Sequence, residues 1–318
     1  MTSPSPTPNK VRYLIAGTGG VGGAIGAFLA LRGHDVTFLA RGEHLRALQR
    51  DGLRLKSDLL GNHTIPVKAT TAETCTTPAD VIFLCVKSYS IDDIAPQLAK
   101  AITPGTLVIP ILNGYGHGHR LAKLLPHAQV LDGCIYIVAF RSAPGEITQM
   151  GRIFRLVYGA RTEQPVPEQH LLSLSKTLQD AHITPEISTD INRDTFVKWA
   201  FISAMACTGA YHNIPMGPIQ RKDSIPRQTF IGLSRESAAI AQACGITTST
   251  DPVNYNLSII DSLDPASTAS MQKDLAAGHQ SEIQSLLFDL VDLGHAHHIP
   301  LPTYDRIAAH FAHLRLHP

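Results

Sequence analysis

The chain has 318 residues, 44% of them hydrophobic, so it is long enough and apolar enough for two hydrophobic cores. Its 27 basic residues nearly balance its 26 acidic ones, which argues against nucleic acid or an anionic membrane as a partner. No apolar run approaches the roughly 18 to 20 residues of a membrane span. The five cysteines form no CxxC pair, as expected for a protein of the reducing cytoplasm.

Two conspicuous features of the composition, a polar N-terminus and many histidines, predict no functional site. The first ten residues, MTSPSPTPNK, lack an apolar stretch, so residues 1–10 are predicted to form a disordered tail and not a signal peptide. The 16 histidines cluster only at positions 117 and 119 and at positions 295 to 298. Neither cluster has the HExxH spacing or an acid or cysteine at ligand spacing, so no metal site is expected.

The segment 11–33, VRYLIAGTGGVGGAIGAFLALRG, predicts a strand, a glycine turn and a helix. The GxGxxG spacing suits a dinucleotide, because the first glycine permits a tight turn, the second lets a pyrophosphate approach the backbone, and the third lets the helix pack on the strand. The helix N-terminus then offers N–H groups to the phosphates. The alternative is a turn that serves only helix–sheet packing. The predicted cofactor-binding residues here are Gly17, Thr18, Gly19, Gly20, Val21 and Gly22.

The end of the second predicted strand, 35–40, decides the expected cofactor. An acidic side chain there binds the ribose hydroxyls of NAD, whereas an arginine accommodates the 2′-phosphate of NADP. The sequence TFLARGEHL has Arg41 at this position and no acid at the strand end. NADP(H) is therefore predicted. The alternative is that Arg41 is only a solvated charge at the start of a helix over 43–50.

Two later strands predict further residues at the same edge of the sheet. The strand 79–86 is a nearly continuous apolar run, typical of a sheet buried on both faces, and it ends in LCVKSYS. The strand 106–112 ends in ILNGYG. Ligands of open α/β sheets bind beyond the carboxyl ends of the strands, so Lys87 and Asn113 are predicted to reach the cofactor. Asn113 could also orient the substrate, although a flanking charge and a simple Asn-Gly turn are the plain alternatives.

The rest of the chain predicts that an α/β domain is followed by helices. Extended runs between 130 and 158 predict an antiparallel addition to the sheet, and a helix over 167–181 and a strand over 182–187 complete the domain. The fold class is thus α/β, with an N-terminal Rossmann-type doubly wound sheet over 11–188 and an all-helical domain over 189–318. An active site is expected between the two. Helices of the second domain are predicted over 193–210, 227–244, 265–277, 282–295 and 302–313.

Six short motifs follow one another in a specific order: IAGTGGVGGAIG, FLARGEHL, LCVKSYS, ILNGYG, NRDTFVKWAF and SMQKDLAAGHQSEI. Together they resemble the ketopantoate reductase family, the NADPH-dependent 2-dehydropantoate 2-reductases. The resemblance covers nearly the whole chain after the tail. It implies reduction of a 2-oxoacid with NADPH, and a homodimer joined through the helical domain, which would bind substrate.

The resemblance implies that Lys198, on the first helix of the second domain, protonates the substrate oxygen as hydride reaches the carbonyl. A cation suits this role because reduction of a ketone develops negative charge on oxygen. Trp199 and Phe201 beside it indicate partial desolvation. The family glutamate that works with the lysine corresponds to Glu282, which SEIQ would place in a first helical turn behind a capping box at Ser281. For both residues the plain alternative is an ordinary helix charge.

The substrate positions of the family are only partly kept. Ser270 matches a family position that contacts the substrate carboxylate. Asparagines four and eight residues after the lysine are replaced by Ile202 and Ala206, and a third by Met216, although Asn213 lies close by. Each lost amide removes a hydrogen bond worth ~0.5 to 1.5 kcal/mol, so a more apolar pocket is expected. The predicted substrate-binding residues are Asn113, Lys198, Ile202, Ser270 and Asp274.

Three functions are compatible with these residues. The leading one is NADPH-dependent reduction of ketopantoate to pantoate, with Lys198 as general acid and Glu282 orienting it. The second keeps the fold and the chemistry but takes a more hydrophobic 2-oxoacid, as D-2-hydroxyacid dehydrogenases related to the family do. The third is a non-catalytic NADP-binding sensor, against which the presence of both Lys198 and Glu282 argues.

Overall fold

The structure is a computed structural model and describes residues 11–248 and 251–316. The predicted tail over 1–10 lies outside the described residues. The chain forms two compact units. Unit 1 comprises Met1–Leu112 and Gly116–Ile191, and unit 2 comprises Asn113–Tyr115 and Asn192–Pro318.

Unit 1 alternates strands and helices along much of its length. Its strands are β1 (Arg12–Ala16), β2 (Asp35–Leu39), β3 (Leu53–Ser57), β4 (Gly61–Ile65), β5 (Lys68–Thr70), β6 (Val81–Leu84), β7 (Leu107–Pro110), β8 (Gln129–Val130), β9 (Asp132–Ala143), β10 (Glu146–Gly159) and β11 (Thr184–Ile187). Its α-helices are α1 (Gly20–Leu31), α2 (Gly42–Asp51), α3 (Ile91–Leu98), α4 (His117–Leu124) and α5 (Glu168–Asp180), with 3-10 turns at Ser88–Ser90 and Ala99–Ala101.

The strands of unit 1 form two sheets. The first is parallel throughout, in the order β5-β2-β1-β6-β7-β8, which confirms the predicted Rossmann-type sheet. The second has the order β11-β10-β3-β4, and β9 pairs antiparallel with β10. The expectation that the extended runs of 130–158 would extend the first sheet is wrong, because β10 pairs with β3 and β11 instead.

Helix α1 lies between the two sheets, and its glycines allow the close approach. A Cβ on Gly20 would lie 2.2 Å from the carbonyl oxygen of Ala139 in β9, and one on Gly23 would lie 2.6 Å from the Ile147 side chain in β10. On the other side, a Cβ on Gly26 would lie 2.2 Å from the ring of Phe38 in β2. A helix that is apolar all round must be covered on all sides. The second sheet supplies the cover that the first sheet alone cannot give.

Unit 2 is helical. Its helices are α6 (Ile191–His212), α7 (Met216–Gln220), α8 (Ile225–Ala243), α9 (Pro252–Ser262), α10 (Ser270–Ala276), α11 (Asp289–Ala296) and α12 (Pro302–His310), with a π-helical segment at Gln284–Phe288 and a 3-10 turn at Ala312–Leu314. Its core is rich in large side chains that are almost fully buried, among them Phe196, Trp199, Phe230, Phe288 and Tyr304. Within the described ranges, no helix combines the length and apolar character needed to cross a membrane.

Two features of unit 2 differ from the sequence expectation. Helices α7 and α9 were not predicted, although Asp251 caps α9 by accepting from the Val253 N–H at 2.9 Å and Pro252 occupies its first position. The helix predicted from residue 265 begins only at Ser270. Before it, the Asp264 carboxylate accepts from the Ala266 N–H at 3.0 Å and so favours a turn over a helix.

An ion pair between α8 and α9 predicts how the stability of unit 2 depends on pH. The nearly buried Arg227 guanidinium donates to both carboxylate oxygens of Asp261, at 2.6 and 2.9 Å, and this lowers the pKa of Asp261. A depressed carboxyl pKa adds stability at pH values above the unfolded pKa of about 4, and that stability is lost as pH falls through the folded pKa. Because Asp261 is 43% exposed, we expect Asp261→Asn to cost only about 1 kcal/mol at pH 7.

Urea unfolding at pH 7 and pH 3 checks this expectation. The difference between wild type and Asp261→Asn should shrink at pH 3, whereas Asp223→Asn, at an exposed position nearby, should match wild type at both pH values. An Asp261→Asn penalty that is equal at both pH values would contradict the ion-pair argument.

Candidate active site

The glycine turn of unit 1 has the geometry that a dinucleotide requires. Gly17 has φ +102°, and a Cβ there would lie 2.8 Å from backbone atoms of Cys85 and Val86. A Cβ on Gly22 would lie 2.2 Å from the Gly17 carbonyl oxygen. These two positions therefore exclude larger side chains by packing. At Gly19 nothing lies within 4 Å of an added Cβ, so the backbone there is open to a ligand.

The other predicted residues of this turn have different surroundings. Thr18 is buried, and its hydroxyl donates to the Leu39 carbonyl at 2.9 Å, so its side chain ties the turn to the end of β2. Gly20 is close to the β9 backbone, while Val21 is partly buried. The first N–H groups of α1 have no acceptor within the helix. They are the donors that this turn can present to a pyrophosphate.

Three of the predicted residues follow parallel strands of the first sheet in the chain. Arg41 is exposed and occupies the N-cap position of α2, two residues after β2. Lys87 is partly buried three residues after β6, at the start of a 3-10 turn. Asn113 comes three residues after β7 and is followed by Gly114 at φ +122°. Arg41 and Lys87 thus follow the carboxyl ends of β2 and β6, the two strands that flank β1 in the parallel sheet.

Asn113 belongs to unit 2, where an aromatic cluster holds its segment against α6. Tyr115 stacks on Trp199 with ring centroids 5.5 Å apart and planes 9° apart, and it meets Phe196 edge-on at 5.2 Å. Its hydroxyl donates to the Asn192 side chain. Because three of these residues lie on α6, this helix fixes the position of residues 113–115.

Glu282 lies two residues before the π-helical segment and is only 3% exposed. Its Oε2 accepts from the Asn113 side-chain amide at 3.4 Å. The predicted capping box is wrong: Ser281 Oγ accepts from the Ile283 N–H two residues on, and Gln284 donates to Asp289. Glu282 instead precedes the helix, and its own carbonyl accepts from the Leu286 N–H at 2.9 Å.

Helix α6 binds the π-helical segment through three side chains. Trp199 Nε1 donates to the Ser285 carbonyl at 2.7 Å, and the Ser203 hydroxyl and Cys207 thiol both donate to the Leu286 carbonyl. A π-helical turn displaces carbonyls from the regular i to i+4 pattern, and such turns occur often at functional sites. The partners on α6 satisfy the displaced carbonyls. They also set the position of Glu282 at the head of the segment.

Lys198 lies on the same helix, next to Trp199. It is partly buried, with Trp199 almost fully buried beside it. One helix therefore carries the predicted general acid and, through Trp199 and Tyr115, contacts the segments that bear Glu282 and Asn113. These three predicted site residues all belong to unit 2.

The positions that depart from the family pattern are not equivalent in the structure. Ile202, one turn from Lys198, is partly buried, whereas Ala206 and Met216 are at most 1% exposed and lie in the hydrophobic core of unit 2. Asn213 is exposed with φ +52° after the end of α6. Asparagine tolerates this left-handed conformation, which explains its presence as a helix terminator.

The remaining predicted residues lie on a short helix. Ser270 is the exposed first residue of α10, and Asp274, one turn later, is partly buried. Over the described residues no group of three or more histidines, cysteines or acids is placed to hold a metal ion.

Comparison with known proteins gives the family. The family model described as "Ketopantoate reductase PanE/ApbA" matches residues 13–163, and the model described as "Ketopantoate reductase PanE/ApbA C terminal" matches residues 190–315. The chain belongs to the ketopantoate reductase family. This family member is therefore an NADP-dependent oxidoreductase. The open backbone at Gly19 and the arginine after β2 are the features of this structure that fit NADP(H).

Similar proteins cover nearly the full length of this ketopantoate reductase family member. The uncharacterized oxidoreductase YkpB of Bacillus subtilis is 27% identical over 94% of this chain and 97% of its own. A 2-dehydropantoate 2-reductase of Pyrococcus horikoshii is 28% identical over 86% of this chain and 87% of its own. The crystal structure of a PanE/ApbA family ketopantoate reductase from Ralstonia eutropha has a TM-score of 0.86 at 26% identity, covering 96% of this chain and 98% of that one.

The sequence does not predict the residues whose role depends on contacts with distant segments of the chain. The sequence indicates only desolvation around Trp199, whereas its indole donates to the Ser285 carbonyl in the segment that follows Glu282. No sequence pattern predicts the contacts of Ser203 and Tyr115. Arg141 of β9 was also missed; it lines the same cleft as Arg41. A single arginine shortly before a Pro-Gly turn gives no sequence pattern from which its position in this cleft could be predicted.

Proposed function

We propose that this enzyme reduces the C2 carbonyl of a 2-oxoacid with NADPH, and that ketopantoate is its substrate. NADPH, when bound, supplies the hydride. The observation that carries the proposal is the group of residues ordered by α6: partly buried Lys198, buried Glu282, and the Asn113 amide that donates to the Glu282 carboxylate. The family and the curated relatives with that activity support ketopantoate as the substrate.

In this proposal each of the three side chains has a distinct role. The Lys198 ammonium donates a hydrogen bond to the substrate carbonyl and gives up its proton as negative charge develops on the oxygen. The Glu282 carboxylate keeps the ammonium oriented and charged. The Asn113 amide, by donating to Glu282, fixes the rotamer of that carboxylate. Ser270 would bind the substrate carboxylate, with Asp274 nearby on the same helix.

The decisive experiment is steady-state oxidation of NADPH with ketopantoate, set beside a panel of branched and aromatic 2-oxoacids. The proposal requires the highest kcat/KM with ketopantoate. Tight NADPH binding without turnover on any 2-oxoacid would instead indicate a cofactor-binding sensor. The homodimer implied by the family resemblance remains a prediction.

One observation favours a second candidate substrate, a more hydrophobic 2-oxoacid. Ile202 lies one helical turn from Lys198 and is not fully buried, so an apolar group occupies a position where the family has an amide. We therefore expect Ile202→Asn to shift the ratio of kcat/KM values toward ketopantoate by about 2- to 13-fold, because one added hydrogen bond is worth about 0.5 to 1.5 kcal/mol.

The panel of 2-oxoacids measured with wild type and Ile202→Asn checks this. Ile202→Val is the matched control, since it changes volume without adding a polar group, and it should leave the ratio nearly unchanged. An unaltered ratio in Ile202→Asn would mean that position 202 does not contact the substrate.

A further inference from the structure

A cleft in unit 1 lies beside the predicted cofactor residues and has a second basic wall. Its volume is about 470 Å³. One side comes from the start of α2, the other from the β9–β10 hairpin. The lining residues are Arg41, Glu43 and His44 from α2 and its N-cap, and Arg141, Ser142, Ala143 and Pro144 from the hairpin.

Two arginines and one acid line this cleft, so its charge is positive. Within the described parts of the chain, neither Arg41 nor Arg141 makes a side-chain hydrogen bond or ion pair, and both are exposed. The acid that lines the cleft, Glu43, is bound by Arg46, which donates to it at 2.7 and 3.0 Å. Two guanidinium groups without a hydrogen-bond partner thus line the cleft; Glu73, which interacts electrostatically with Arg41, is not among the lining residues. This arrangement suits a phosphate monoester, which guanidinium groups bind in bidentate fashion.

The hairpin is held on α2, so the position of Arg141 is set by the fold. The buried His44 ring accepts from the Gly145 N–H at 2.8 Å through Nδ1, and a Cβ on Gly145 would lie 3.0 Å from the Ala47 side chain. Burial and the charge of Arg141 lower the pKa of His44, while the Thr18 backbone opposes the shift. His44 therefore anchors the hairpin as a neutral ring and adds no charge of its own.

The same strand also passes the predicted pyrophosphate site. The carbonyl oxygen of Ala139 lies 2.2 Å from where a Cβ on Gly20 would be, at the start of α1. Two residues on, Arg141 enters the cleft at the start of α2. One strand thus runs from the N-terminus of α1 to that of α2. A dinucleotide on this sheet spans the same interval, with its pyrophosphate at the first helix and its adenosine ribose at the end of β2.

We propose that Arg141 binds the 2′-phosphate of NADP(H) together with Arg41 and determines the preference for NADPH over NADH. The proposal rests on the predicted cofactor site at the end of β2. It adds a residue of the second sheet to the 2′-phosphate site, which the sequence assigns to Arg41 alone. The role is one of binding and specificity, because the 2′-phosphate lies far from the nicotinamide ring.

Direct binding of NADPH and of NADH tests the proposal without turnover. The fluorescence of the reduced nicotinamide reports the binding. Arg141→Ala should weaken NADPH binding by about 10- to 100-fold and leave NADH binding within about twofold of wild type. Arg141→Lys should lie between the two, because it keeps the charge but loses the bidentate geometry. Arg152→Ala removes an exposed arginine of the same hairpin outside the cleft and should bind both cofactors as wild type does.

Competition against bound NADPH gives a second readout. Adenosine 2′,5′-bisphosphate should displace it far better than adenosine 5′-monophosphate in wild type, and this difference should largely vanish in Arg141→Ala. An Arg141→Ala protein that binds NADPH like wild type would overturn the proposal. Equal weakening of NADPH and NADH would also overturn it, since the residue would then act on the hairpin and not on the phosphate.

Arg41→Ala separates this proposal from the one on which it rests. If Arg41→Ala loses NADPH preference and Arg141→Ala keeps it, the cofactor site stands and the role of Arg141 is wrong. If neither variant changes the preference, the 2′-phosphate binds elsewhere and both assignments fail.

Discussion

Replacing Lys198 with alanine should lower kcat with the best 2-oxoacid by about 10²- to 10⁴-fold, the range that a positioned general acid contributes. Lys198 is partly buried on α6 beside Trp199, and in our proposal it supplies the proton to the reduced carbonyl. NADPH binding should stay close to wild type, because the predicted cofactor residues of the glycine turn and Arg41 belong to unit 1. Steady-state kinetics and NADPH fluorescence measure the two quantities separately.

Small primary amines distinguish a general acid at position 198 from a residue that only supports the structure. Added methylamine or ethylamine should restore part of the turnover of Lys198→Ala, and the effect should depend on the pKa of the amine. Lys176→Ala, at an exposed position on α5, is the matched control and should behave as wild type with or without amine. Full activity in Lys198→Ala would remove the general-acid assignment.

The parts of the fold that the sequence predicts are those set by local contacts. The spacing of Gly17 and Gly22 is recognisable in the sequence because a side chain at either position would clash with nearby atoms. These atoms belong to the same strand–turn–helix unit or to the segment after the neighbouring strand β6. Arg41 is recognisable for a similar reason: a position counted from the end of β2 fixes where it lies. The parallel sheet follows from apolar runs such as β6, which is buried at all four residues.

The features that the sequence does not predict depend on contacts between distant segments. The β9–β10 hairpin has the same alternation whether it extends the first sheet or forms a second one, and only the packing of α1 between the sheets decides. The position of Arg141 depends on that second sheet, so the sequence does not predict it either. The π-helical segment depends on donors on α6 about 80 residues earlier, as the separation of 86 between Trp199 and Ser285 shows.

Replacing Glu282 with glutamine should separate activity from stability. Glutamine keeps the shape and can accept from the Asn113 amide, but it lacks the charge that holds an ammonium group. We expect kcat/KM to fall by about 10- to 100-fold, which corresponds to a lost charged hydrogen bond of about 1.5 to 3 kcal/mol. The melting temperature should not fall, because a carboxylate that is 3% exposed costs desolvation free energy that the amide avoids. Kinetics and thermal unfolding of the same preparation give both numbers.

A second variant tests whether Trp199 acts through Glu282. Trp199→Phe removes the 2.7 Å hydrogen bond to the Ser285 carbonyl and should loosen the π-helical segment that follows Glu282. Because both changes disturb one orienting group, the loss in kcat/KM for the double variant with Glu282→Gln should be clearly smaller than the product of the single losses. Ser237→Ala, which removes a buried hydrogen bond within α8, should cost stability without such coupling. Multiplicative losses in the double variant would show that Trp199 contributes only to packing.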